Sequence, residues 1–314
     1  MKINKTVLFS VIGFLSTSPV WGTELEDSIR ADSQVFGKWF SEEIGHITAV
    51  NALSGPTLPG EVHNLLGVEV GLSAVVSSSK VDLDSYKNLP WTELQPEGFD
   101  MPADIMMAIP MVHAKVGLPF SLDLGVKYGH IGFNNTDNGA TSDVKNSVFG
   151  VEVRRRLMGE GVTGVVIPDV ALSLAYDQAS GDLSRTERYD TLLKGEPGTD
   201  RLTADTTVKS EWKTGAITAR IVASKQILIM TPYLGLGYSR LFGDTDTTID
   251  VVGSSVETGN VNVSEKSSAN ADGDLTQLVG GVEFTFFPTL KFNLGGLYAK
   301  DDWGATAGLR FTFR

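Results

Sequence analysis

The chain has no cysteine and only four histidines, and after its first residues no apolar run approaches the ~18 residues that a transmembrane helix needs. Without cysteine, no disulfide framework can hold an exported form together. Basic residues are the minority: 26 Lys and Arg against 38 Asp and Glu give a formal charge of -12. A nucleic-acid partner is therefore not expected, because phosphate binding requires a basic surface. With 314 residues, 20% charged and 41% hydrophobic, and a mean hydropathy of +0.01, the chain is neither disordered nor a helical membrane protein. One large β domain accounts for it.

The start reads differently from the rest. Met1-Lys2-Ile3-Asn4-Lys5 is basic, Val7 to Leu15 is a short apolar core, and Val20-Trp21-Gly22 offers permissive residues where a signal peptidase reads, so residues 1–22 are expected to be a cleaved secretory signal. In the following stretch Leu25, Ile29, Phe36, Phe40 and Ile44 fall at helical spacing with Trp39 beside them, and Thr23 with Glu26 fits a capping box. The spacing predicts an amphipathic helix, with "NALSGPTLPG" as linker, so that residues 23–60 form a helical extension and residues 61–314 the main domain. Its Phe36, Trp39 and Phe40 look too bulky to share a narrow lumen, so the helix is expected to lie across the periplasmic mouth.

From residue 61 onward the dominant signal is alternation. Leu66, Val68, Val70, Leu72, Ala74 and Val76 form one apolar stripe, and Trp303, Ala305, Ala307, Leu309, Phe311 and Phe313 form another at the end of the chain. Period two means β-strand. About ten such stripes occur, or twelve if irregular segments are split, and they are joined by tight links such as Gly117-Leu118-Pro119 and Phe287-Pro288-Thr289 in alternation with long polar ones. "DQASGDLSRTERYDTLLKGEPGTDRLTADTT" reads as one long external loop and Gly243 to about Asp274 as another. Alternation of short and long connections is a property of outer-membrane barrels, whose turns are periplasmic and loops extracellular.

Two further regularities fit an apolar face that meets lipid. Tyr128, Tyr176, Tyr238 and Tyr298 end successive outward stripes, with Trp303 at the same level, as in an aromatic girdle at the headgroup boundary. Opposite the apolar stripe lie Glu69, His113, Lys115, Asp123, Lys127, Glu152, Arg154, Asp169, Arg220, Glu283, Lys291 and Arg310, predicted to line the lumen. A Lys or Arg facing mid-bilayer lipid would cost roughly 2–4 kcal/mol, which explains their confinement to one parity. A three-residue loop at Gly117-Leu118-Pro119 would set His113 opposite Asp123.

The leader, the alternating strands and the closing "LRFTFR" resemble bacterial outer-membrane β-barrel proteins, whose last strand typically ends in an aromatic read by the assembly machinery; here Phe313 is penultimate and Arg314 last. The "IPMVHAKVGLPFSLDLGVKYG" hairpin after an N-terminal helix also resembles an uncharacterised family of such proteins. The resemblance implies an all-β, transmembrane, antiparallel up-and-down barrel in the outer membrane, monomeric, with membrane lipid and the barrel-assembly machinery as partners.

Some features fit less simply. Pro110, Pro168 and Pro232 interrupt strand patterns, where bulges or boundary shifts are expected. Trp212 and Ile217 differ in parity, which calls for a bulge or a start beyond the membrane. Asp82 and Asp84 alternate in the first loop without an Asp-x-His, and His130 is isolated at the rim. "NADGDLTQLVGG" starts like a calcium loop but fails at Leu275 and Gly281. No catalytic, metal or cofactor residue is therefore assigned. The expected function is a narrow channel or transporter for a small solute; a non-conducting barrel that presents its loops for adhesion or scaffolding is the alternative, and an outer-membrane hydrolase the third.

Overall fold

A computed structural model describes residues 22–63, 65–90, 103–137, 140–159, 167–192, 201–255 and 259–313. The leader expected over residues 1–22 lies outside them apart from Gly22, as does the Thr23 side chain of the expected capping box. A helix, α1 (Gly22–Leu53), is followed by a linker to β1 (Val68–Lys80), a short α2 (Leu83–Lys87), and then β2 (Asp104–Leu118), β3 (Leu122–Asp137), β4 (Ala140–Met158), β5 (Asp169–Leu192) and β6 (Arg201–Ser224). The chain continues through β7 (Met230–Ser255), β8 (Gly259–Asn270), β9 (Gly273–Phe287), β10 (Leu290–Ala299) and β11 (Asp302–Phe313).

Every sheet pairing is antiparallel, and the pairing of the first strand with the last makes the sequential ladder a ring. β1 pairs with β11 from Val68↔Phe313 to Ser79↔Asp302, and β6 pairs with β7 from Leu202↔Ser255 to Ser224↔Tyr233. The last strand stays in the ladder as far as Phe313, held by β1 along its length and by β10 up to Phe311. Eleven strand segments make ten staves. β8 pairs with the upper part of β7 and β9 with its lower part, in one continuous register (Asp244↔Asn270, Leu241↔Gly273), so the two are one descending strand broken at Ala271-Asp272. At that break Gly243 adopts φ 119°, a conformation that disfavours a side chain, and its carbonyl accepts the Ala271 N–H. The calcium-like "NADGD" is this break.

The wall sorts its residues by height. Toward the turn end, where β2–β3, β6–β7 and β9–β10 are joined tightly, outward positions are apolar and open: Leu72 is 63% exposed, Leu234 61% and Leu174 58%. Inward positions at that height carry charge. Toward the loop end the pattern inverts without a change of parity. Val144, Val148, Leu183, Val208, Trp212 and Ile249 point inward and are buried, while Lys145, Asp182, Lys209 and Glu211 point outward. This inversion explains the parity mismatch of Trp212 and Ile217: β6 is continuous there, with Ile217 facing outward and Trp212 facing the interior. No bulge is needed.

The same inversion hides strand in what reads as loop. Most of the "DQASGDLSRTERYDTLLKGEPGTDRLTADTT" stretch is the upper part of the β5–β6 hairpin, so Arg185 and Arg188 are ladder residues, opposite Val208 and Asp205; residues 193–200 lie outside the described residues. Gly243 to Asp274 is likewise the β7–β8 hairpin and the start of β9.

Prolines take three different solutions. Pro168 immediately precedes β5, and Pro232 is near the start of β7. Pro110 sits inside β2, where the β2–β3 ladder ends: Met111↔Gly129 is the last pair. Its carbonyl points at β3, 2.8 Å from where a Cβ on Gly129 would lie, so the N–H that proline lacks would have pointed the same way. The strands part there instead of bulging. The tight turn is also displaced: Phe120 and Ser121 take φ of 65° and 55°, Leu118 faces Leu122, and the register places His113 opposite Lys127 and Gly117 opposite Asp123. The expected His113–Asp123 pair does not form, because β2 runs two residues further and β3 begins two residues later than the spacing suggested, which moves the turn to residues 119–121.

Candidate functional site

The interior of the barrel is occupied by its own N-terminal segment. In the first half of α1, Asp27, Arg30, Gln34, Lys38 and Glu42 are exposed at helical spacing, while Ile29, Phe36, Phe40 and Ile44 are buried. From Ile47 to Leu53 every residue is buried, because the helix has entered the lumen and has wall on all sides. It does not lie across the turn end as expected. It descends from the loop end, where Arg30 is paired with Glu265 of β8 and the Glu26 carboxylate accepts the Asn262 N–H at 3.2 Å.

Small residues on both partners make room for it. A Cβ on Gly45 would lie 3.0 Å from Thr245 Oγ1 and 3.3 Å from the Ala271 Cβ. Ser41 donates to Thr247 Oγ1 at 2.8 Å, Thr48 and Thr214 share a 2.8 Å bond, and Asn51 donates to Ser77 at 2.8 Å while accepting from Asn146 at 2.9 Å. Phe36, Trp39 and Phe40 reach the inverted apolar patch of the upper wall, and Trp39 packs at 4.9 Å between centroids on Tyr86 of α2. Ser54, Gly55 and Pro56 end the helix.

The linker then fills the charged half. Cations of the wall hold the end of α1 and the linker backbone: Lys127 donates to the Ala52 carbonyl at 2.7 Å, Arg154 to that of Pro59 at 2.6 Å, and Arg156 to that of Val62. Tyr233 donates to the Thr57 carbonyl at 2.9 Å. Glu61 meets Lys291 at 2.8 Å, and His63 stands between Asp123 at 3.1 Å and Glu69 at 3.3 Å.

The residues assigned to the lumen all point inward. Glu69, Asp123, Arg154, Glu283, Arg310, His113, Lys115 and Lys291 are buried, and Lys127, Glu152, Asp169 and Arg220 are half-buried. They form linked sets rather than a free lining. Arg310 pairs with both Glu69 and Glu283, Lys291 lies 3.2 Å from Glu283, and His113 Nε2 lies 3.7 Å from Glu69. Elsewhere Glu152 joins Lys115 at 3.0 Å to Arg154 at 3.2 Å, Lys127 meets Asp177 at 3.0 Å, and Arg220 donates to Gln277 at 3.0 Å. A cavity of about 40 Å³ lies beside Lys115, Lys127 and Glu152. Among the described residues no group of His, Asp and Glu is arranged to hold a metal ion. Tyr128, Tyr176, Tyr238, Tyr298 and Trp303 all face outward and are exposed, with Tyr298 directly opposite Trp303.

One contact between helix and rim involves a titratable pair. His46 Nε2 lies 3.1 Å from Asp302, at the start of β11. Burial alone would lower its pKa, but the hydrogen bond and charge of Asp302, aided by Glu43 and opposed by Lys300, raise it above the ordinary 6.5. A raised histidine stabilises fully below its unfolded pKa and stops doing so as pH rises through the folded value. Amide protection along residues 40–53, corrected for the intrinsic base-catalysed rate, should therefore fall as pH rises through that value, and Asp302→Asn should remove this fall. The same dependence in Asp302→Asn would contradict the assignment.

The sequence profile of a family described as a family of unknown function (DUF6588) matches residues 1–313. The chain belongs to that family. No curated protein sequence matches it. Among solved structures, this DUF6588 member is similar to the outer membrane protease OmpT from Escherichia coli, at 10% identity over 81% of this chain and 100% of that one, TM-score 0.39. It is similar too to a Pseudomonas aeruginosa FadL homologue (9% identity, 90% and 97% covered, TM-score 0.32) and to the Ralstonia pickettii toluene transporter TbuX (11%, 88% and 100%, TM-score 0.30). The structures it resembles are outer-membrane β-barrels.

The partners missing from the sequence reading are those inside: Thr48, Asn51, Asn146, Trp212 and the linker carbonyls. A signal for them existed. From Ile47 to Gly60 there is no charged residue, as suits a segment surrounded by protein.

Proposed function

We propose that the protein is a narrow channel or transporter for small solutes in the outer membrane, closed in this state by its own N-terminal segment. The observation that carries the reading is how the interior is filled. Eight strands leave a space that wall side chains fill by themselves. Here ten staves present Ser77, Ser210, Thr214, Thr218, Ser239, Thr245 and Thr247 to the interior, residues too small to fill it, and a separate element, the N-terminal segment, fills it for them. On this reading the turn end is periplasmic and the loop end external, the chain works as a monomer in lipid, the assembly machinery reads Phe311 and Phe313 on the last strand, and no metal, cofactor or catalytic residue takes part.

The test is planar-bilayer recording of the full-length protein against Gly45→Leu, whose side chain has no room against Thr245 and Ala271. Openings should be rare in wild type and several-fold more frequent in the variant. A variant whose helix exchanges faster but which stays silent would favour the second reading, a loop-presenting scaffold. That reading is supported by the height of β5 to β8 above the tyrosine belt, a raised wall with polar residues outward.

A further inference from the structure

Beyond Met111↔Gly129, β2 residues 104–110 pair with β1 alone and β3 residues 130–137 with β4 alone. The fork opens one residue past Tyr128, at the upper edge of the aromatic belt, and leaves two strand edges whose N–H and C=O groups a closed barrel would pair. Behind it lies a cavity of about 210 Å³, walled by Ile44 and Ile47 of α1, Met107, Ile131, Phe133 and Trp212. Outward-facing Met106 and Ala108 also line it, so the cavity wraps the free edge of β2 and opens through the fork. On the lipid side an apolar groove walled by Leu72, Val112 and Tyr128 runs up to Pro110 and His130; the cavity begins at Ala108 and Ile131.

The chemistry of the lining is one-sided. Thr48 Oγ1 is engaged with the Ile44 carbonyl at 2.7 Å and with Thr214 at 2.8 Å, and the Trp212 indole N–H is donated to Asn146 at 3.1 Å. Neither side-chain group is left to bind a polar guest. An apolar cavity of about 150 Å³ already stays dry and takes up benzene. We propose that this cavity binds a free, neutral hydrocarbon about the size of one substituted benzene ring, entering through the β2–β3 fork from the outer edge of the membrane. The proposal names a solute class for the transporter reading and rests on it for its purpose, while its binding test is independent of transport. A full lipid acyl chain is too long for the space.

The full-length protein in phosphatidylcholine nanodiscs should show saturable heavy-atom quenching of Trp212 by bromobenzene, read as the difference between wild type and Trp212→Phe. Val144→Phe, which puts a ring into the cavity, should weaken half-saturation by about tenfold or more. Ile47→Ala, which enlarges it, should admit 1-bromonaphthalene, so a filling variant that misfolds does not end the test. Bridging Ala108→Cys to Gly132→Cys across the fork should slow the onset of quenching. Quenching that never saturates, that is unchanged in both cavity variants, or that is produced only by lipid brominated along its acyl chains would overturn the proposal. Saturable binding by a barrel that stays silent in the Gly45→Leu recording would leave the site in place and remove the transporter reading alone.

Discussion

Deleting residues 23–60 turns a silent barrel into a conducting one: single-channel steps should appear in a planar bilayer where the intact protein shows almost none. A helix with its side chains is about 10–12 Å across, so its removal with the linker opens a passage of that order through the upper barrel. The lower half should open too, because Lys127, Arg154 and Tyr233 lose the carbonyls of Ala52, Pro59 and Thr57 that now hold them inward. The emptied passage keeps Glu152, Asp177 and Glu283 with their basic partners, so neutralising Glu152 should shift the ion preference toward anions. Retained resistance to heat in gel electrophoresis would show that the wall is still folded. A folded, truncated barrel that remains silent would mean that the wall closes on itself and that the segment is only structural filling.

The second large effect concerns the buried charges where β1, β9 and β11 meet the linker. Arg310, 5% exposed, is the cation shared by Glu69 and Glu283, both fully buried. Arg310→Met leaves two carboxylates without it, and breaking a buried pair from one side costs about 3–5 kcal/mol. The urea midpoint of the vesicle-inserted protein should fall accordingly. The triple variant Glu69→Gln, Glu283→Gln, Arg310→Met should recover most of the loss, because both carboxylates are then neutral while Lys291 keeps Glu61 and His63 keeps Asp123. If the single variant unfolds like wild type, the set does not lock the wall.

These two expectations mark what the sequence made legible. Alternation from Leu66 to Phe313 shows the wall, its inward charges and its outward tyrosines, because lipid on one side and protein on the other impose a period of two. The same rule misleads above the belt. There water replaces lipid and α1 replaces solvent, so Val208 and Trp212 turn inward while Lys209 and Glu211 turn outward, and strand reads as polar loop or as a bulge. Helix position was harder still. Phe36, Trp39 and Phe40 are bulky, but bulk excludes a helix only from a lumen already full, and the serines and threonines that make room come from β1, β6 and β7, far apart in sequence. The fork at Pro110 was half legible: a missing donor in a closed barrel demands a local remedy, but spacing alone does not show that the strands part.

Threading of α1 through the barrel is the claim on which the rest depends, and a cysteine pair tests it directly. The chain has no cysteine of its own. Thr48 and Thr214 touch through their hydroxyls, 2.8 Å apart, one on the helix and one on the inner wall. Thr48→Cys with Thr214→Cys should cross-link in whole cells under mild oxidation, giving a reducible shift in mobility, while Thr48→Cys with Ser224→Cys, at the turn end of β6, should not. Cross-linking at Ser224 and none at Thr214 would place the helix at the periplasmic mouth and contradict the account.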